Sequence, residues 1–337
     1  MRIGYSFWGF IGPGITDTPD GGRSFRAPLL DALADRHQVV LLQDNRDLHE
    51  AGDDLTSRYT FDAGLPNLDA LFLEWRWPLP GRNTTACGAP GHTCDLHRQQ
   101  ELLDHYTLAG GLPTIAWDLD RVIGPHDPIR HHPAVTVCEP AARPTPGAHT
   151  LRCPVPDTAL DTADPAALIG GERPWPLVYV DNQYSRDAEF DRYFAPAART
   201  HRHRVAGKWT DTARWPHVNF TGRVGFLEGQ RLHRDALTTV LLSPPRYSAV
   251  GHVTQRLGEA VRAGCLPIAP SDIRTIDTLL PAQLLVTNGR QTDETVTHVH
   301  TASQDLRAEL LADCLTGLDV YRLSRQISTI ETLLQQR

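Results

Sequence analysis

Residues 251–270 read GHVTQRLGEAVRAGCLPIAP, a pattern that predicts a helix leading directly into a buried strand. Apolar residues recur there at spacings of three and four, which places them on one helical face. They are Val253, Leu257, Ala260, Val261 and Gly264. CLPIAP then reads as a short buried strand. We therefore expect Thr254, Arg256 and Glu259 on or beside the opening turns of a helix that packs against a sheet.

Strand-like and helix-like segments alternate on both sides of this stretch, which predicts an α/β fold with parallel sheets. The first half contains RIGYSFW, FRAPLLDALADR, QVVLLQ, ALFLEWRW, DLHRQQELLDHYTLA, PTIAWDLD, AVTVCEP and HTLRCP. The second half contains PLVYVDN, DAEFDRYFAPAA, HRVAGKW, VNFTGRV, EGQRLHRDAL, TVLLSP and QLLVTN. Between the halves, residues 155–173 are poor in aromatics and rich in Pro, Asp, Ala and Gly, which indicates a linker.

The length of 337 residues suits two domains rather than one. We predict one Rossmann-like domain over residues 1–165 and a second over residues 174–315. A C-terminal helix in residues 316–337 is expected to pack back on the first domain. Because open parallel sheets bind ligands outside the carboxyl ends of their strands, we expect an interdomain cleft.

Composition narrows the class of protein. The net charge of −7 and a pI of about 6.1 make a nucleic-acid partner less favoured, since binding to a phosphate backbone normally needs a basic face. No run approaches the roughly 20 apolar residues of a membrane span, and the N-terminal stretch lacks the pattern of a signal peptide. We therefore expect a cytoplasmic protein whose six scattered cysteines are mostly reduced.

The start of the predicted helix has the chemistry of a phosphate site. Unpaired N–H groups give a helix N-terminus about half a positive charge, to which Thr254 adds a hydroxyl donor and Arg256 a permanent cation. Glu259, one turn further on, can accept hydrogen bonds from a ribose diol. In the alternative interpretation, Thr254 only caps the helix and Arg256 only pairs with Glu259.

Two further cations follow neighbouring predicted strands. Lys208 follows Gly207 at the end of HRVAGKW, and Arg223 follows Gly222 in the loop after VNFTG. Each alone is explained as a solvated cation beside a turn glycine. Together with Arg256 they place three cations along one edge of one sheet, where a diphosphate can lie.

The run HVNFTGRVGF…LHRDALTTVLLSPPRY…GHVTQRLGEAVRAGCLPIAP resembles the donor-binding half of a GT-B nucleotide-sugar glycosyltransferase. Within that fold it is most similar to the group-1-type and spore-maturation-type branches. The resemblance covers roughly residues 177–288, whereas the first half is similar only in architecture and in its glycine-rich first loop. It implies a metal-independent enzyme that needs no cofactor. That enzyme would move a sugar from a nucleotide diphosphate sugar, with UDP favoured, to a hydroxyl or amine of a small-molecule acceptor.

The resemblance also implies roles for individual residues. Lys208 and Arg223 would contact the donor phosphates, Thr254 the distal phosphate, and Glu259 the ribose. The complete donor-binding set is Lys208, Arg223, Gly222, Tyr247, Gly251, His252, Val253, Thr254, Arg256 and Glu259. Retaining members often carry a second glutamate eight residues before the ribose glutamate. Gly251 holds that position here, which weakens a retaining assignment and leaves the stereochemistry open.

Candidate catalytic carboxylates lie in the first half of the chain. Asp118 and Asp120 follow the buried strand TIAW, and a carboxylate at the carboxyl end of a strand suits a general base that deprotonates an acceptor hydroxyl. We favour Asp118 slightly, and an N-cap or an ion pair with Arg121 is the alternative. Glu74, at the end of a predicted strand and just before Trp75 and Trp77 in LEWRWP, is a further candidate.

The loop GFIGPGITDTPDGGRSFR, residues 9–26, follows the first predicted strand. In the fold it resembles, this loop faces the cleft, and its glycines allow the backbone to approach a ligand closely. A plain long turn is the alternative. Asp17 and Asp20 are candidate bases there, and Arg23 is a candidate phosphate contact. The glycines singled out are Gly12, Gly14, Gly21 and Gly22.

Residues 87–97, CGAPGHTCDLH, contain four potential zinc ligands, Cys87, His92, Cys94 and His97. Their spacing fits no standard zinc finger, and the resemblance implies no bound metal. We therefore expect a flexible acceptor-side loop, with a zinc site as the alternative.

Other functions remain open at this level. Phage DNA glucosyltransferases share the architecture and carry an aspartate after a strand of the first domain, as TIAWDLDR does, although the net charge counts against DNA. A non-catalytic protein that closes on a nucleotide or another small ligand is the alternative from a different class. An epimerase that cleaves the bond between sugar and nucleotide is a third possibility.

Overall fold

The computed structural model describes residues 1–16 and 22–336. Within these residues the chain forms two compact units. The first comprises Met1–Pro140, Pro144–Arg152 and Leu323–Arg337, and the second comprises Ala141–Arg143 and Cys153–Arg322.

A seven-stranded parallel sheet forms the centre of the first unit. Its strands are β1 (Arg2–Ser6), β2 (Gln38–Leu41), β3 (Thr60–Phe61), β4 (Ala70–Glu74), β5 (Thr114–Trp117), β6 (Val135–Glu139) and β7 (His149–Thr150). Their spatial order is β3-β2-β1-β4-β5-β6-β7, so the chain reverses direction across the sheet between β1 and β4. This is the strand order of a Rossmann fold, extended by β7.

Helices connect these strands, and two of them correspond to the predicted segments FRAPLLDALADR and DLHRQQELLDHYTLA. They are α1 (Arg23–Ala34), α2 (Arg46–Ala51) and α3 (Asp95–Leu102), which continues as a π-helical segment, Leu103–Ala109; a 3₁₀ turn, Pro128–His131, precedes β6. Aromatic side chains fill the space beside the sheet. Tyr5 stacks on Phe72 with ring centroids 4.8 Å apart, and Trp117 meets Phe72 edge to face at 5.8 Å.

The second unit contains a five-stranded parallel sheet. Its strands are β8 (Trp175–Val180), β9 (His203–Ala206), β10 (Ala236–Val240), β11 (Leu266–Pro270) and β12 (Leu285–Val286). The spatial order β12-β11-β10-β8-β9 reverses between β8 and β10. In doubly wound sheets this reversal is the point at which ligands bind.

The helices of the second unit range from 3 to 14 residues in length. They are α4 (Asp157–Asp161), α5 (Pro165–Ile169), α6 (Asp187–Glu189), α7 (Ala195–Ala197), α8 (Phe226–Arg234), α9 (Pro245–Ser248), α10 (Arg256–Arg262), α11 (Gly289–Thr301) and α12 (Gln304–Gly317). Additional turns are the π-helical Phe190–Phe194 and the 3₁₀ segments Ile276–Thr278, Ala282–Leu284 and Leu318–Tyr321. Phe190 lies at the centre of an aromatic cluster with Trp209, Trp215 and Phe220.

The last helix, α13 (Leu323–Gln335), belongs to the first unit. Gln326 of this helix accepts a hydrogen bond from the backbone N–H of Arg152 at 2.9 Å, and Glu331 lies 3.0 Å from His37. Its apolar residues, including Ile327 and Ile330, are buried.

The predicted α/β class with two Rossmann-like parallel-sheet domains is confirmed. Three local expectations differ from the structure. Residues 155–173 contain α4 and α5 and are part of the second unit. VNFTGRV is not a sheet strand, since Phe220 makes only an isolated bridge to Val205. The helix expected at residues 253–254 begins at Arg256.

Among residues 1–16 and 22–336, no helix combines the length and the apolar character needed to cross a bilayer.

Gly207 allows β8 and β9 to end side by side. Its φ is +143°, and a Cβ atom placed there would overlap the carbonyl oxygen of Asp181. Gly222, with φ of +76°, has open space where its Cβ would be. Gly222 is therefore required only for its positive φ, whereas Gly207 is required both for its positive φ and because a Cβ atom does not fit there.

We predict that Gly207→Ala lowers the free energy of unfolding by at least about 3 kcal/mol, since backbone strain adds to the overlap. Gly222→Ala is the matched control and should cost only about 1–2 kcal/mol, the penalty for a left-handed alanine. Urea unfolding of both variants provides the measurement. Equal losses would contradict the steric requirement.

Candidate functional site

Four charged residues meet at the reversal point of the second sheet, and we call them the switch-point cluster. Asp181 follows β8 directly, and Arg256 and Glu259 lie on α10 after β10. One Asp181 oxygen lies 3.2 Å from Arg186 Nη2 and 3.8 Å from Arg256 Nε. Arg256 Nη1 donates to Glu259 Oε2 at 2.6 Å. The cluster therefore alternates in charge, from Arg186 through Asp181 and Arg256 to Glu259.

Glu259 has an unsatisfied acceptor. The residue is 8% exposed, and its Oε1 is buried without a hydrogen-bond partner among the described residues. A buried acceptor left in this state costs about 1–3 kcal/mol, so such an atom in a folded protein requires an explanation. A ligand with hydroxyl donors would supply the missing hydrogen bond.

The arginines of the cluster stay charged. Burial alone lowers the pKa of Arg256, but Glu259 and Asp181 more than offset that effect and leave the pKa raised. The same balance, with Asp181 as the carboxylate, raises the pKa of the buried Arg186. Part of the Arg256 side chain, 24%, remains exposed, so its cation can still contact a ligand.

His233, on α8, belongs to the surroundings of this cluster. The side chain is buried, and desolvation lowers its pKa to about 4, although the Glu259 charge acts in the opposite direction. His233 is therefore neutral at pH 7 and adds no positive charge beside Arg256.

The residues immediately before α10 are not helical, although the sequence predicts a helix that begins at residues 253–254. Gln255 is the N-cap residue and makes no side-chain cap, while Thr254 is half-buried and lies before the helix. The predicted alternative in which Thr254 caps the helix is therefore not formed. The Arg256–Glu259 ion pair of that alternative is formed, but it occupies only one oxygen of Glu259.

Lys208 and Arg223 lie on loops that adjoin the cluster. Gly207 N donates to the carbonyl of Gly222 at 2.9 Å, which joins the two loops. Lys208 N donates to Asn182 Oδ1 at 2.7 Å, and Asn182 follows Asp181 directly in the chain. Both cationic residues are exposed. The structure thus brings the loops bearing these predicted phosphate contacts to the same sheet edge as Arg256.

The loop between β10 and α10 is closely packed. Tyr247 and His252 are buried and stack on each other with ring centroids 4.0 Å apart, and Val253 is also buried. Gly251 has φ of +66°, and a Cβ atom there would lie 2.5 Å from the carbonyl oxygen of Arg274. A glutamate at position 251 is therefore incompatible with this loop.

In the first unit, Asp118 and Asp120 have different surroundings. Asp118 is fully buried, and its two oxygens accept hydrogen bonds from the backbone N–H groups of Val122 and Ile123 at 2.9 and 2.7 Å. Burial raises its pKa to about 6 in spite of these hydrogen bonds. Asp120 is partly exposed and accepts a hydrogen bond from Trp77 Nε1 at 2.9 Å. Arg121 pairs with Glu139 at 2.8 Å.

Glu74 forms a buried ion pair. Its Oε1 accepts hydrogen bonds from Tyr5 and from Arg26 Nε, both at 2.7 Å, and its Oε2 lies 2.5 Å from Arg26 Nη2. Both side chains of the ion pair are fully buried. Since both carboxylate oxygens are engaged, Glu74 holds β4 to α1 in this structure.

The described part of the glycine-rich loop is tied to α2. Gly12 N donates to Asp47 Oδ1 at 2.8 Å, and Arg23 donates to the carbonyl of Gly12 at 3.2 Å. Gly14 lies against Ala51, and Gly22 is the N-cap residue of α1. The candidates Asp17, Asp20 and Gly21 lie outside the described residues.

The structure also brings together the four potential zinc ligands of the first unit. One ligand atom from each of Cys87, His92, Cys94 and His97 lies within 4.8 Å of every other.

Comparisons with known proteins agree with this architecture. No family model matches the chain, and no curated protein matches its sequence. Among solved structures, the T4 phage β-glucosyltransferase in complex with UDP and Mn²⁺ aligns with a TM-score of 0.64 at 11% identity, over 99% of both chains. An α-glucosyltransferase in complex with UDP-glucose and DNA containing an abasic site aligns with a TM-score of 0.62 at 10% identity, over 99% of both chains.

A third solved structure is a glycosyltransferase involved in avilamycin A biosynthesis. It aligns with a TM-score of 0.56 at 13% identity, over all of this chain and 98% of the other. Likeness at such low identity establishes the fold, which is the GT-B arrangement, and confirms that expectation.

Sequence reasoning missed Asp181, Arg186 and His233. An aspartate directly after the strand PLVYV carried the same signal as Asp118 does in the first half. Arg186 and His233 carried no comparable signal, because their relation to Arg256 depends on the adjacency of β8, α8 and α10.

We predict that Asp118 makes stability dependent on pH. Its pKa is raised from 3.8 to about 6 on folding, so its contribution is fully present below pH 3.8 and is lost as the pH rises through 6. Relative to Asp118→Asn, the wild type should lose about 2–3 kcal/mol of unfolding free energy between pH 4 and pH 7. Urea unfolding at several pH values provides the measurement.

The exposed Asp44 provides the matched control for this experiment. The difference between the wild type and Asp44→Asn should stay within about 0.5 kcal/mol over the same range. A flat difference for Asp118→Asn as well would contradict the raised pKa.

Proposed function

We propose that this chain is a glycosyltransferase that moves a sugar from a nucleotide diphosphate sugar, with a UDP-sugar as donor, to a hydroxyl or amine of a small-molecule acceptor. The observation that carries the proposal is the buried Oε1 of Glu259, which lacks a partner among the described residues and adjoins Arg256 at the reversal point of the second sheet. The GT-B fold adds general support, since the structures it resembles are sugar transferases.

In the proposed donor site a carboxylate binds the ribose of the nucleotide, and cationic side chains bind its diphosphate. Glu259 accepts hydrogen bonds from the ribose hydroxyls through its unsatisfied oxygen. Arg256, Lys208 and Arg223 face the diphosphate, and the loop contacts around Gly207 keep the last two beside Asn182 and Asp181. Arginine suits this role because its planar group forms paired hydrogen bonds with phosphate oxygens.

Charge stabilisation of the leaving group is the main catalytic contribution in this proposal. As the bond between sugar and phosphate breaks, negative charge collects on the departing nucleotide diphosphate. A cation that an ion pair fixes before the reaction, as Glu259 fixes Arg256, stabilises that charge without reorganising. We propose that these three side chains supply the charge without a metal ion at the diphosphate, although UDP is accompanied by Mn²⁺ in one similar structure.

The acceptor must lose a proton as the new glycosidic bond forms. We propose Asp120 as the base, because it is partly exposed and Trp77 orients one of its oxygens. Asp118 is less suited to this role than the sequence alone indicates, since it is fully buried and both of its oxygens already accept backbone hydrogen bonds. Asp118 instead shapes the loop that carries Asp120.

DNA is the second candidate acceptor. Two of the similar structures are DNA-linked, as one is a DNA-modifying β-glucosyltransferase and another is an α-glucosyltransferase bound to DNA. The net charge of −7 favours a small molecule, because a protein that neutralises DNA phosphates needs a basic surface. The avilamycin-related structure shows that the same fold also occurs in a natural-product pathway.

We predict that the ribose diol accounts for the effect of Glu259 on donor binding. Wild-type protein should bind UDP about 10- to 100-fold more tightly than 2′,3′-dideoxy-UDP, which corresponds to the roughly 1.5–3 kcal/mol of hydrogen bonds to a charged group. Glu259→Gln should bring the two affinities to within about threefold. Isothermal titration calorimetry on wild type and variant provides the measurement.

Glu228→Gln is the matched control, because Glu228 is an exposed glutamate of the same unit that pairs with Arg204. It should keep the wild-type preference for UDP. The site would be wrong if Glu259→Gln, folded by circular dichroism, preserved the full preference for the diol. The absence of a response to UDP, GDP or ADP in the wild type would overturn the transferase itself.

We predict that Asp120→Asn lowers sugar transfer about 10²- to 10⁴-fold while UDP affinity stays within about twofold, since a general base contributes to the chemical step alone. Transfer of radiolabelled sugar is measured on pooled small alcohols and amines and on duplex DNA bearing a hydroxymethylated base. The DNA arm needs that modification because ordinary bases carry no alcohol group.

Transfer to the small acceptors supports the proposal, and transfer to DNA alone identifies the second candidate. Release of free sugar or epimer without any acceptor dependence would indicate a different reaction. Asp127→Asn, a carboxylate on a neighbouring turn that caps Ile129, serves as the control and should retain transfer within about threefold.

A further inference from the structure

A cluster of cysteine and histidine side chains lies in the first unit, in the connection between β4 and α3. Its four potential ligand atoms all lie within 4.8 Å of one another, and Cys87 Sγ is 3.3 Å from His97 Nδ1. In a tetrahedral zinc site, bond lengths of about 2.3 Å to sulfur and 2.0 Å to nitrogen place neighbouring ligand atoms about 3.3–3.8 Å apart. The distance between Cys87 and His97 falls in this range, and a modest contraction would bring the remaining ligand atoms into it.

His92 is oriented as a metal ligand by its neighbours. Its Nδ1 is 3.0 Å from Thr85 Oγ1, and that hydroxyl donates to the carbonyl of Arg82 at 3.1 Å. We assign the histidine proton to Nδ1, since the Thr85 hydroxyl donates to Arg82 and can accept from the ring. The lone pair is then on Nε2, which is buried without a hydrogen-bond partner among the described residues. Hydrogen bonds of this kind fix the tautomer of zinc-bound histidines.

The backbone forms the turns that bring the ligands together. Gly88 and Gly91 have φ of +83° and +75°, so the chain between Cys87 and His92 folds back on itself. Cys94 is the N-cap residue of α3, and His97 lies in the first turn of that helix. The loop therefore supplies the first two ligands, and the beginning of α3 supplies the other two.

We propose that Cys87, His92, Cys94 and His97 bind one structural Zn²⁺. Two thiolates and two neutral imidazoles neutralise the dication and complete a tetrahedral shell, which leaves no position for a substrate. The remaining four cysteines are buried, so the two exposed cysteines of the chain are both in this cluster. The zinc ion is separate from the proposed donor chemistry, and its role is to stabilise the loop.

The loop so stabilised leads to Asp120. Asn83 Nδ2 donates to the carbonyl of Trp77 at 3.1 Å, and Asn83 Oδ1 accepts from Leu79 N at 2.6 Å. Trp77 Nε1 in turn donates to Asp120. A zinc ion at residues 87–97 would thus limit the motion of a loop whose other end contacts a proposed catalytic group.

The test measures zinc directly, independently of any transfer activity. The chain of residues 1–337, produced with zinc in the medium and purified without chelators, should contain one equivalent of zinc by mass spectrometry of the metal. Cys87→Ser/Cys94→Ser and His92→Ala should each contain less than a tenth of an equivalent. His126→Ala, an exposed histidine outside the cluster, should keep one equivalent.

A second measurement on the wild type does not depend on the folding of a variant. After removal of zinc, Co²⁺ should produce the visible bands of a tetrahedral site and a thiolate charge-transfer band, and zinc should abolish both. Three results would overturn the proposal: wild-type protein that neither contains nor takes up zinc, a disulfide between Cys87 and Cys94 in unreduced peptides, or undiminished zinc in the double cysteine variant.

Discussion

The parallel pairing of β8 with β10 is the constraint on which the proposed donor site depends. Because the two strands run in the same direction and are neighbours, Asp181 after one and the helix after the other lie at one sheet edge. The reversal of strand order at this point sends the connecting helices to opposite faces of the sheet and leaves the edge accessible. Asp181 can therefore contact Arg256, although 75 residues separate them in the chain.

Each unit contains an ion pair between an arginine and a buried glutamate, but among the described residues only one of the two pairs has both of its carboxylate oxygens hydrogen-bonded. In the first unit, Glu74 and Arg26 satisfy each other with paired hydrogen bonds, and Tyr5 completes the arrangement. In the second unit, the pair between Arg256 and Glu259 is incomplete, since one carboxylate oxygen has no partner among the described residues. A complete buried ion pair contributes to structure, whereas an incomplete one leaves an acceptor that a ligand hydroxyl or an ordered water can use.

The fold class and the pairing of Arg256 with Glu259 could be predicted from the periodicity and spacing of the sequence. The three- and four-residue recurrence in GHVTQRLGEAVRAGCLPIAP placed Arg256 and Glu259 on one helix and at pairing distance, and alternating strands and helices indicated two parallel sheets. The start of α10 could not be predicted, because Gly251 and the buried His252 hold the preceding loop in a non-helical form. Nor could the approach of Cys87 to His97, which depends on two left-handed glycines in an irregular loop.

Gly251 links the local geometry to the reaction. Its φ of +66° and the proximity of the Arg274 carbonyl exclude a side chain there, so the fold, and not only the sequence, departs from the retaining pattern. A retaining mechanism that relies on a carboxylate at this position is therefore not open to this chain. In the proposed reaction a general base takes the proton of the acceptor as the nucleotide leaves, and a carboxylate at position 251 has no part in it. Position 251 therefore counts against a retaining assignment of the proposed reaction.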